Sequence, residues 1–250
     1  MSRALALLAF ACVLFAAAHE TALASAGRAL RVGVIADSPP MSYVDADGQY
    51  TGLNIEFARA LCATMRTPCE FVRIPLRDAV DVVSRDEIDF AAVSLLITPE
   101  RGRKVLFTKP YYRSLSAWVA RPSLKPGAPV TVAVAVVKGS VQASYARAQG
   151  WKVHELPVHS DVPEAVLAGR ADAVLLPMLT ALGFLKHPGV AGLGWEYRLM
   201  SEPELAGDVG FAVSPRRAEL RDRINAAIDQ VKSDGRFDRI SSRFLPFKLQ

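Results

Sequence analysis

The stretch from Asp89 to Arg101, Asp-Phe-Ala-Ala-Val-Ser-Leu-Leu-Ile-Thr-Pro-Glu-Arg, does most to limit what this chain can fold into. Phe90 to Leu96 is an apolar run with the length of a buried strand. Thr98-Pro99-Glu100 then reads as an N-cap, an N1 proline and an N2 acid, so a helix starts directly after the strand. Arg101 falls in that first helical turn, where unpaired amides and the macrodipole already carry positive partial charge. A cation there costs a few tenths of a kcal/mol, up to about 1, unless an anion sits opposite it. The position points to an anion-binding site, with a solvated arginine pairing with Glu100 as the alternative.

The same strand and helix alternation extends along the chain. Leu30 to Ala36 reads as a strand, and Asn54 as the cap of a helix with apolar residues Ile55, Ala58, Leu61, Cys62 and Met65 at helical spacing. A strand from Glu70 to Ile74, a helix from Arg77 to Ser84 and the strand beginning at Ile88 complete a first unit. After Tyr112 come strands near Ser116 to Arg121 and Thr131 to Val136, then a helix from Ser140 and a strand at Lys152 to Leu156. A helix from Ser160 to Ala168 and a strand from Ala171 to Leu176 close a second unit. Glu87-Ile88-Asp89-Phe90-Ala91 and Arg170-Ala171-Asp172-Ala173-Val174 both place an aspartate between a helix end and an apolar strand, which implies two similar α/β lobes. The chain returns through a strand at Asp208 to Ser214 and ends in a helix apolar at Leu220, Ile224, Ala227, Ile228 and Val231, followed by Phe237, Ile240 and Phe244. No glycine-serine or proline-rich linker separates the units, so the crossovers near Ser114 to Trp118 and Leu205 to Gly210 read as hinge strands.

Residues 1–26 carry a basic start at Arg3, an apolar core from Ala4 to Ala18 and Ala24-Ser25-Ala26 ahead of Gly27, the pattern of a secretory signal peptide cleaved after Ala26, with Ala24 as the second choice. His19 and Glu20 stop the apolar run short of the roughly 20 residues a membrane span needs, and Cys12 lacks a lipoprotein context. The 224 residues that follow (250 − 26) suffice for two lobes with their own cores. Cys62 and Cys69, with six residues between them, read as a short-loop disulfide in an oxidising compartment, a free buried pair being the alternative. The net charge of +5 is dispersed, with nine Lys and Arg against eight Asp and Glu in Ser201 to Gln250, so no nucleic-acid partner is expected. His154, His159 and His187 lack ligand spacing and read as surface or loop histidines; no metal or cofactor is expected.

Six segments taken in order, Ser38-Pro39-Pro40-Met41-Ser42-Tyr43, Gly52 to Phe57, Ile97 to Arg101, Phe107 to Tyr112, Gly139-Ser140-Val141-Gln142 and Ser233-Asp234-Gly235, resemble the polar amino acid group of periplasmic solute-binding proteins, family 3. The resemblance spans essentially the whole mature chain and includes the cysteine spacing of lysine, arginine and ornithine binders. It implies a two-lobed type II periplasmic binding fold of class α/β, with a two-strand hinge and a ligand cleft between the lobes. Lobe I is expected at 27–116 plus 208–250, and lobe II at 117–207. The implied protein is a periplasmic monomer that closes around a small ligand and delivers it to an ABC importer's permease in the inner membrane.

By that resemblance Arg101 matches the arginine that forks onto the ligand carboxylate, Ser94 a hydroxyl or main-chain contact, and Ser140 with the Val141 amide the helix N-terminus that takes the same carboxylate. Ser140 also reads as a plain N-cap. Other matched positions depart from the family. The acid that holds a ligand ammonium falls on Pro177, a hydroxyl two residues after Ser94 on Leu96, the aromatic platforms on Ser38 and Leu76, and a further acid on Ile35. Burying an ammonium against Pro177 and Leu96 without a counter-charge costs several kcal/mol, out of about 8 available to a micromolar ligand. An ordinary lysine or arginine ligand is therefore disfavoured, and the expected ligand is a small carboxylate, amino-acid-like, or a modified (N-substituted) amino acid or organic acid. Asp37 could supply a displaced ammonium partner, though its position before Ser38-Pro39-Pro40 suits a turn former. Trp118, beside the hinge, is the tryptophan best placed to reach the cleft, against a core role.

Two other functions remain beside transport. A sensory binding subunit would use the same cleft. A cyclohexadienyl-dehydratase-like enzyme would need a carboxylic acid and a lysine in the cleft, whereas Arg113-Ser114-Leu115-Ser116 and the segment around Pro177 supply neither, so no catalysis is expected. N-terminal sequencing of the exported protein is expected to begin at Gly27; a chain that still begins at Met1 contradicts the cleavage.

Overall fold

A computed structural model of the chain describes residues 28–127 and 131–249. The signal-peptide reading and Cys12 lie outside the described residues.

In chain order, β1 (Leu30–Val34), β2 (Asp37–Ser38), β3 (Ser42–Val44) and β4 (Tyr50–Thr51) lead into α1 (Leu53–Thr64), followed by β5 (Cys69–Arg73). A 3-10 turn at Leu76–Asp78 precedes α2 (Ala79–Ser84), β6 (Phe90–Leu96), α3 (Pro99–Gly102), β7 (Leu106–Phe107) and β8 (Tyr112–Ser114). Next come β9 (Ser116–Ala120), β10 (Ala133–Val137), α4 (Val141–Ala148), β11 (Lys152–Leu156), α5 (Asp161–Leu167) and β12 (Ala173–Pro177). The chain continues with α6 (Met178–Leu185), α7 (Pro188–Ala191) and β13 (Glu196–Leu199), then β14 (Gly207–Val213), α8 (Ala218–Ser233) and α9 (Arg236–Phe244). The stretch from α6 to β13 is the part that apolar periodicity did not assign.

Two sheets with the same plan carry the lobes. The first runs β5-β1-β6-β14-β7, with β8 also on β14; β1 is parallel to β5 and β6, and β14 is antiparallel to β6. The second runs β11-β10-β12-β9-β13, with β10 parallel to β11 and β12 and β9 antiparallel to β12. The chain crosses between the sheets through Leu115 and returns after β13 through the turn at Pro203–Leu205. Helices cover both faces, which is why the central strands are apolar without alternation. In β6, Phe90, Ala92 and Leu96 pack toward α1, α8 and α9, while Ala91, Val93 and Leu95 pack toward α2. In β12, Val174 and Leu176 face α5 and α6, and Ala173 and Leu175 face α4. The apolar series Leu220, Ile224, Ala227, Ile228 and Val231 of α8 is buried in the first lobe, with Phe237 beside it.

The repeated aspartates have the same task in each sheet. Asp89 Oδ2 accepts from the Arg31 amide at 2.6 Å, and the Asp89 amide donates to the Arg31 carbonyl at 2.8 Å. Asp172 Oδ2 accepts from the Ala133 amide at 3.0 Å, and its own amide donates to the Ala133 carbonyl at 2.8 Å. Each aspartate thus ties the start of the third strand to the start of the first, accepting from an amide at the beginning of a central strand. Asp89 is 1% exposed and also holds Arg28 at 2.7 Å and Arg217 at 2.6 Å. Cys62 and Cys69 form a disulfide, with Cα atoms 6.2 Å apart, across the turn from α1 to β5.

Asn54 is not a cap. Gly52, with φ 114°, precedes the helix, because a Cβ there would meet the Met41 carbonyl oxygen at 2.6 Å. Asn54 lies one residue inside α1 with its side chain turned into the protein. Trp118 belongs to the core: it is 1% exposed, donates Nε1 to the Leu124 carbonyl at 3.0 Å and packs edge-on against Trp151.

Replacing Asp89 by alanine strands two arginines and an amide, so a loss of about 3 kcal/mol is expected. Asp172→Ala is expected to cost about 1 kcal/mol, since Asp172 supports one amide and a distant Arg121. Urea unfolding of both variants checks the order.

Candidate functional site

Carboxyl ends of strands from both sheets converge on one cavity, the usual place for a ligand in open α/β sheets. Ile35 and Ser38 come from the exit of β1, Ser94 and Leu96 from the end of β6, Ser140 to Gln142 from the turn after β10, and Pro177 from the end of β12. All eight residues picked from the sequence, Ser38, Leu76, Ser94, Leu96, Arg101, Ser140, Val141 and Pro177, line it. Asn54, Tyr112, Gln142, His159 and Thr180 line it as well. Among the described residues that line the cavity, none is an aspartate or glutamate.

Arg101 is held by its own turn. Thr98 caps α3, its Oγ1 accepting from the Arg101 amide at 3.3 Å, with Pro99 in the first turn as the sequence required. The helix is a single turn, so its end charge is small; the larger cost on the arginine is desolvation. Burial pushes the Arg101 guanidinium below its ordinary range, against a weaker upward pull from Glu100. It stays charged. Its protein partners are carbonyls, Nη1 donating to Leu96 at 3.0 Å and Nη2 reaching across the cleft to Gly139 at 3.2 Å. A more open outer groove shares Leu96, Arg101, Ser140 and Val141 with the cavity, so Arg101 forms the wall between the two.

Beside it lies a buried network of neutral groups. Tyr111 Oη donates to Asn54 Oδ1 at 2.7 Å, and Asn54 Nδ2 donates to Ser94 Oγ at 3.0 Å. Ser94 Oγ donates back to Asn54 Oδ1 at 3.2 Å and lies 3.2 Å from Tyr111 Oη, so its hydroxyl closes the network at the cavity wall. Burial pushes the Tyr112 phenol up to about 12, with hydrogen bonds to Ser94 and Ser114 opposing the rise, so it too remains neutral. On the other lobe Ser140 caps α4, its Oγ accepting from the Ala143 amide at 3.0 Å. Gln142 Nε2 donates to Ser116 Oγ at 2.8 Å, and Ser116 Oγ donates to the Leu205 carbonyl at 2.7 Å. The helix start that presents Ser140 and the Val141 amide is thereby tied to both crossovers.

The lobes touch around the cavity. Ser38 Oγ and Thr180 Oγ1 lie 3.4 Å apart, and the His159 amide donates to Asp37 Oδ1 at 3.3 Å. Burial alone would raise the Asp37 carboxyl, but His159 and Arg73 outweigh it and hold the group below its ordinary 3.8. The His159 Nδ1 to Asp37 Oδ1 separation is 3.6 Å, beyond hydrogen-bond reach, so that side-chain attraction is electrostatic. Asp37 therefore serves the second lobe and Arg73 rather than facing the cavity. His159 is neither a surface nor a free loop histidine: its side chain is 6% exposed. Nothing in the sequence marks it, because its partners come from the opposite lobe. Asn54 and Gln142 had a signal, a polar residue in the first turn of an otherwise apolar helix start, which reads equally well as capping.

A model of the bacterial extracellular solute-binding proteins, family 3, matches residues 30–247. The chain belongs to that family. The L-arginine-binding protein of Pseudomonas aeruginosa is 28% identical over 235 residues, covering 90% of this chain and 91% of that protein. An ancestral arginine-binding protein bound to arginine superposes with a TM-score of 0.77 at 26% identity, covering 87% of this chain and 98% of that one. An ancestral amino acid-binding protein described as a precursor of cyclohexadienyl dehydratase gives a TM-score of 0.75 at 26% identity, covering 86% and 95%. The fold of this family 3 protein is the two-lobed type II periplasmic binding fold.

Gly139 lies where the two lobes of this family 3 protein meet, with φ 84° and an ideal Cβ that would lie 2.4 Å from Arg77 Cα on the facing lobe. Gly139→Ala is expected to keep the lobes apart. Small-angle scattering of that variant should give a larger radius of gyration than the parent chain, with the secondary structure unchanged by circular dichroism.

Proposed function

We propose that this chain is an exported solute-binding protein that captures a small carboxylate without a free amine and delivers it to an ABC importer. Capture is by closure of lobe I, 27–116 with 208–250, onto lobe II, 117–207. Arg101 takes the carboxylate in a forked pair, assisted by Ser140 Oγ and the Val141 amide; Ser94 supplies a hydroxyl or main-chain contact, and Ser38, Leu76, Leu96 and Pro177 shape the remainder.

The observation that carries this reading is the charge inventory of the cavity. It contains a desolvated guanidinium whose protein partners are carbonyls, and no carboxylate among the described lining residues. A monoanion neutralises that arrangement. A zwitterionic amino acid would bring an ammonium with no carboxylate to meet it, at a cost of several kcal/mol. The relatives named for arginine support solute capture by the same fold. The absence of an acid among the described lining residues supports a ligand that differs from theirs in charge, and binding rather than turnover accords with those names.

Thermal-shift and calorimetric titration with a panel of organic acids, N-acylated amino acids and free L-amino acids tests the reading. Acids without an amine should stabilise the mature protein, and Arg101→Ala should weaken them by about 100-fold, the value of a charge-assisted pair worth roughly 3 kcal/mol. Strong stabilisation by free amino acids, or affinity unchanged in the variant, overturns it.

A further inference from the structure

His159 sits at the turn entering α5, lines the cavity, and has a buried Nδ1 without a hydrogen-bond partner. That nitrogen faces Asp37 Oδ1 at 3.6 Å, and Asp37 Oδ2 lies 3.6 Å from Arg73 Nη2. A carboxylate opposite Nδ1 favours the tautomer with its proton on Nδ1 and a lone pair on Nε2, across the ring. Ser38 and Thr180, which also line the cavity, share one hydroxyl contact at 3.4 Å. The neutral imidazole thus offers an acceptor in a cavity that the Arg101 guanidinium also lines.

We propose that His159 is a specificity-determining residue of this cleft, accepting through Nε2 a hydrogen bond from a hydroxyl or amide N–H of the ligand, with Asp37 as the residue that positions it. The ligand class narrows to carboxylic acids that also carry a neutral hydrogen-bond donor. A plain alkyl acid leaves the imidazole acceptor unpaired, and an amine meets a ring and a carboxylate already shared with Arg73. The inference rests on the carboxylate reading above and adds the group that recognises the rest of the ligand.

Calorimetry with matched acids of three to five carbons tests it, each chain length taken as the terminal hydroxy acid, the unsubstituted acid and the terminal amino acid. For at least one length the hydroxy acid should bind roughly tenfold or more tightly than the unsubstituted acid. His159→Leu should erase that preference while leaving the unsubstituted acid's affinity in place, and His159→Gln, which keeps an acceptor, should retain most of it. Asp37→Asn should reduce the preference without abolishing binding. If His159→Leu does not fold, His159→Phe makes the same comparison. Equal binding of hydroxy and unsubstituted acids by the parent chain, both lost in Arg101→Ala, overturns the role of His159 and leaves the carboxylate reading intact. A preference that survives His159→Leu does the same, and tightest binding by the amino acids removes the ligand class. Binding by none of the series, or binding indifferent to Arg101→Ala, overturns both readings.

Discussion

The guanidinium of Arg101 is the constraint around which the cleft is organised. A permanent charge with carbonyl partners is tolerable only where the geometry supplies several acceptors, and here one acceptor comes from each lobe. Everything that places those carbonyls matters to it: β6 must end at Leu96, the turn after β10 must present Gly139, and α3 must be short enough for the side chain to fold back over its own start. The proline and threonine at that start fix the turn. The tertiary structure then decides what the charge can meet.

The two lobes reach this arrangement by repeating one construction. In each, a central parallel strand is bracketed by two others, and an aspartate at the start of the third strand secures the first. Because strands then run in the same sense, their carboxyl ends collect on the side where the lobes face each other, and every turn there becomes available to a ligand. The antiparallel members, β14 in one sheet and β9 in the other, receive the two crossovers, so each connection leaves an outer strand, β8 or β13, and enters the other sheet at an interior one. Gln142, through Ser116 and Leu205, couples the helix start that faces the ligand to those connections.

Close approach of the lobes places a different demand on the chain. Gly139 against Arg77 and Gly183 against the Pro39 carbonyl, 2.7 Å from an ideal Cβ, leave no room for side chains. The polar contacts at that seam, the His159 amide with Asp37 and Ser38 with Thr180, give Asp37, Ser38 and Thr180 partners from the opposite lobe, while His159 Nδ1 stays without one. The lining is accordingly neutral or cationic, and the acids near the cleft are committed elsewhere.

Local sequence determined a good deal. The apolar run of β6 and the threonine-proline start of α3 gave their own elements, as did the helical period of α8, because each signal depends on neighbours within a few residues. The repeated aspartate reported the duplicated sheet for the same reason: its partner strand always lies beside it in this topology. The eight cavity residues were legible through ordered motifs rather than through chemistry, since no local pattern distinguishes a cleft serine from a capping one. What tertiary structure alone decided was partnership across the cleft. His159 and Asp37 are 122 residues apart in the chain, Arg101 and Gly139 are 38 apart, and Asn54 turned from a cap into a buried link to Ser94 because Gly52 had to pass the Met41 carbonyl. Trp118 went to the core because its indole nitrogen found a carbonyl there. Periodicity records which face of an element is buried, but it carries no record of which distant groups will meet that face, and it is those groups that set the charge of the site.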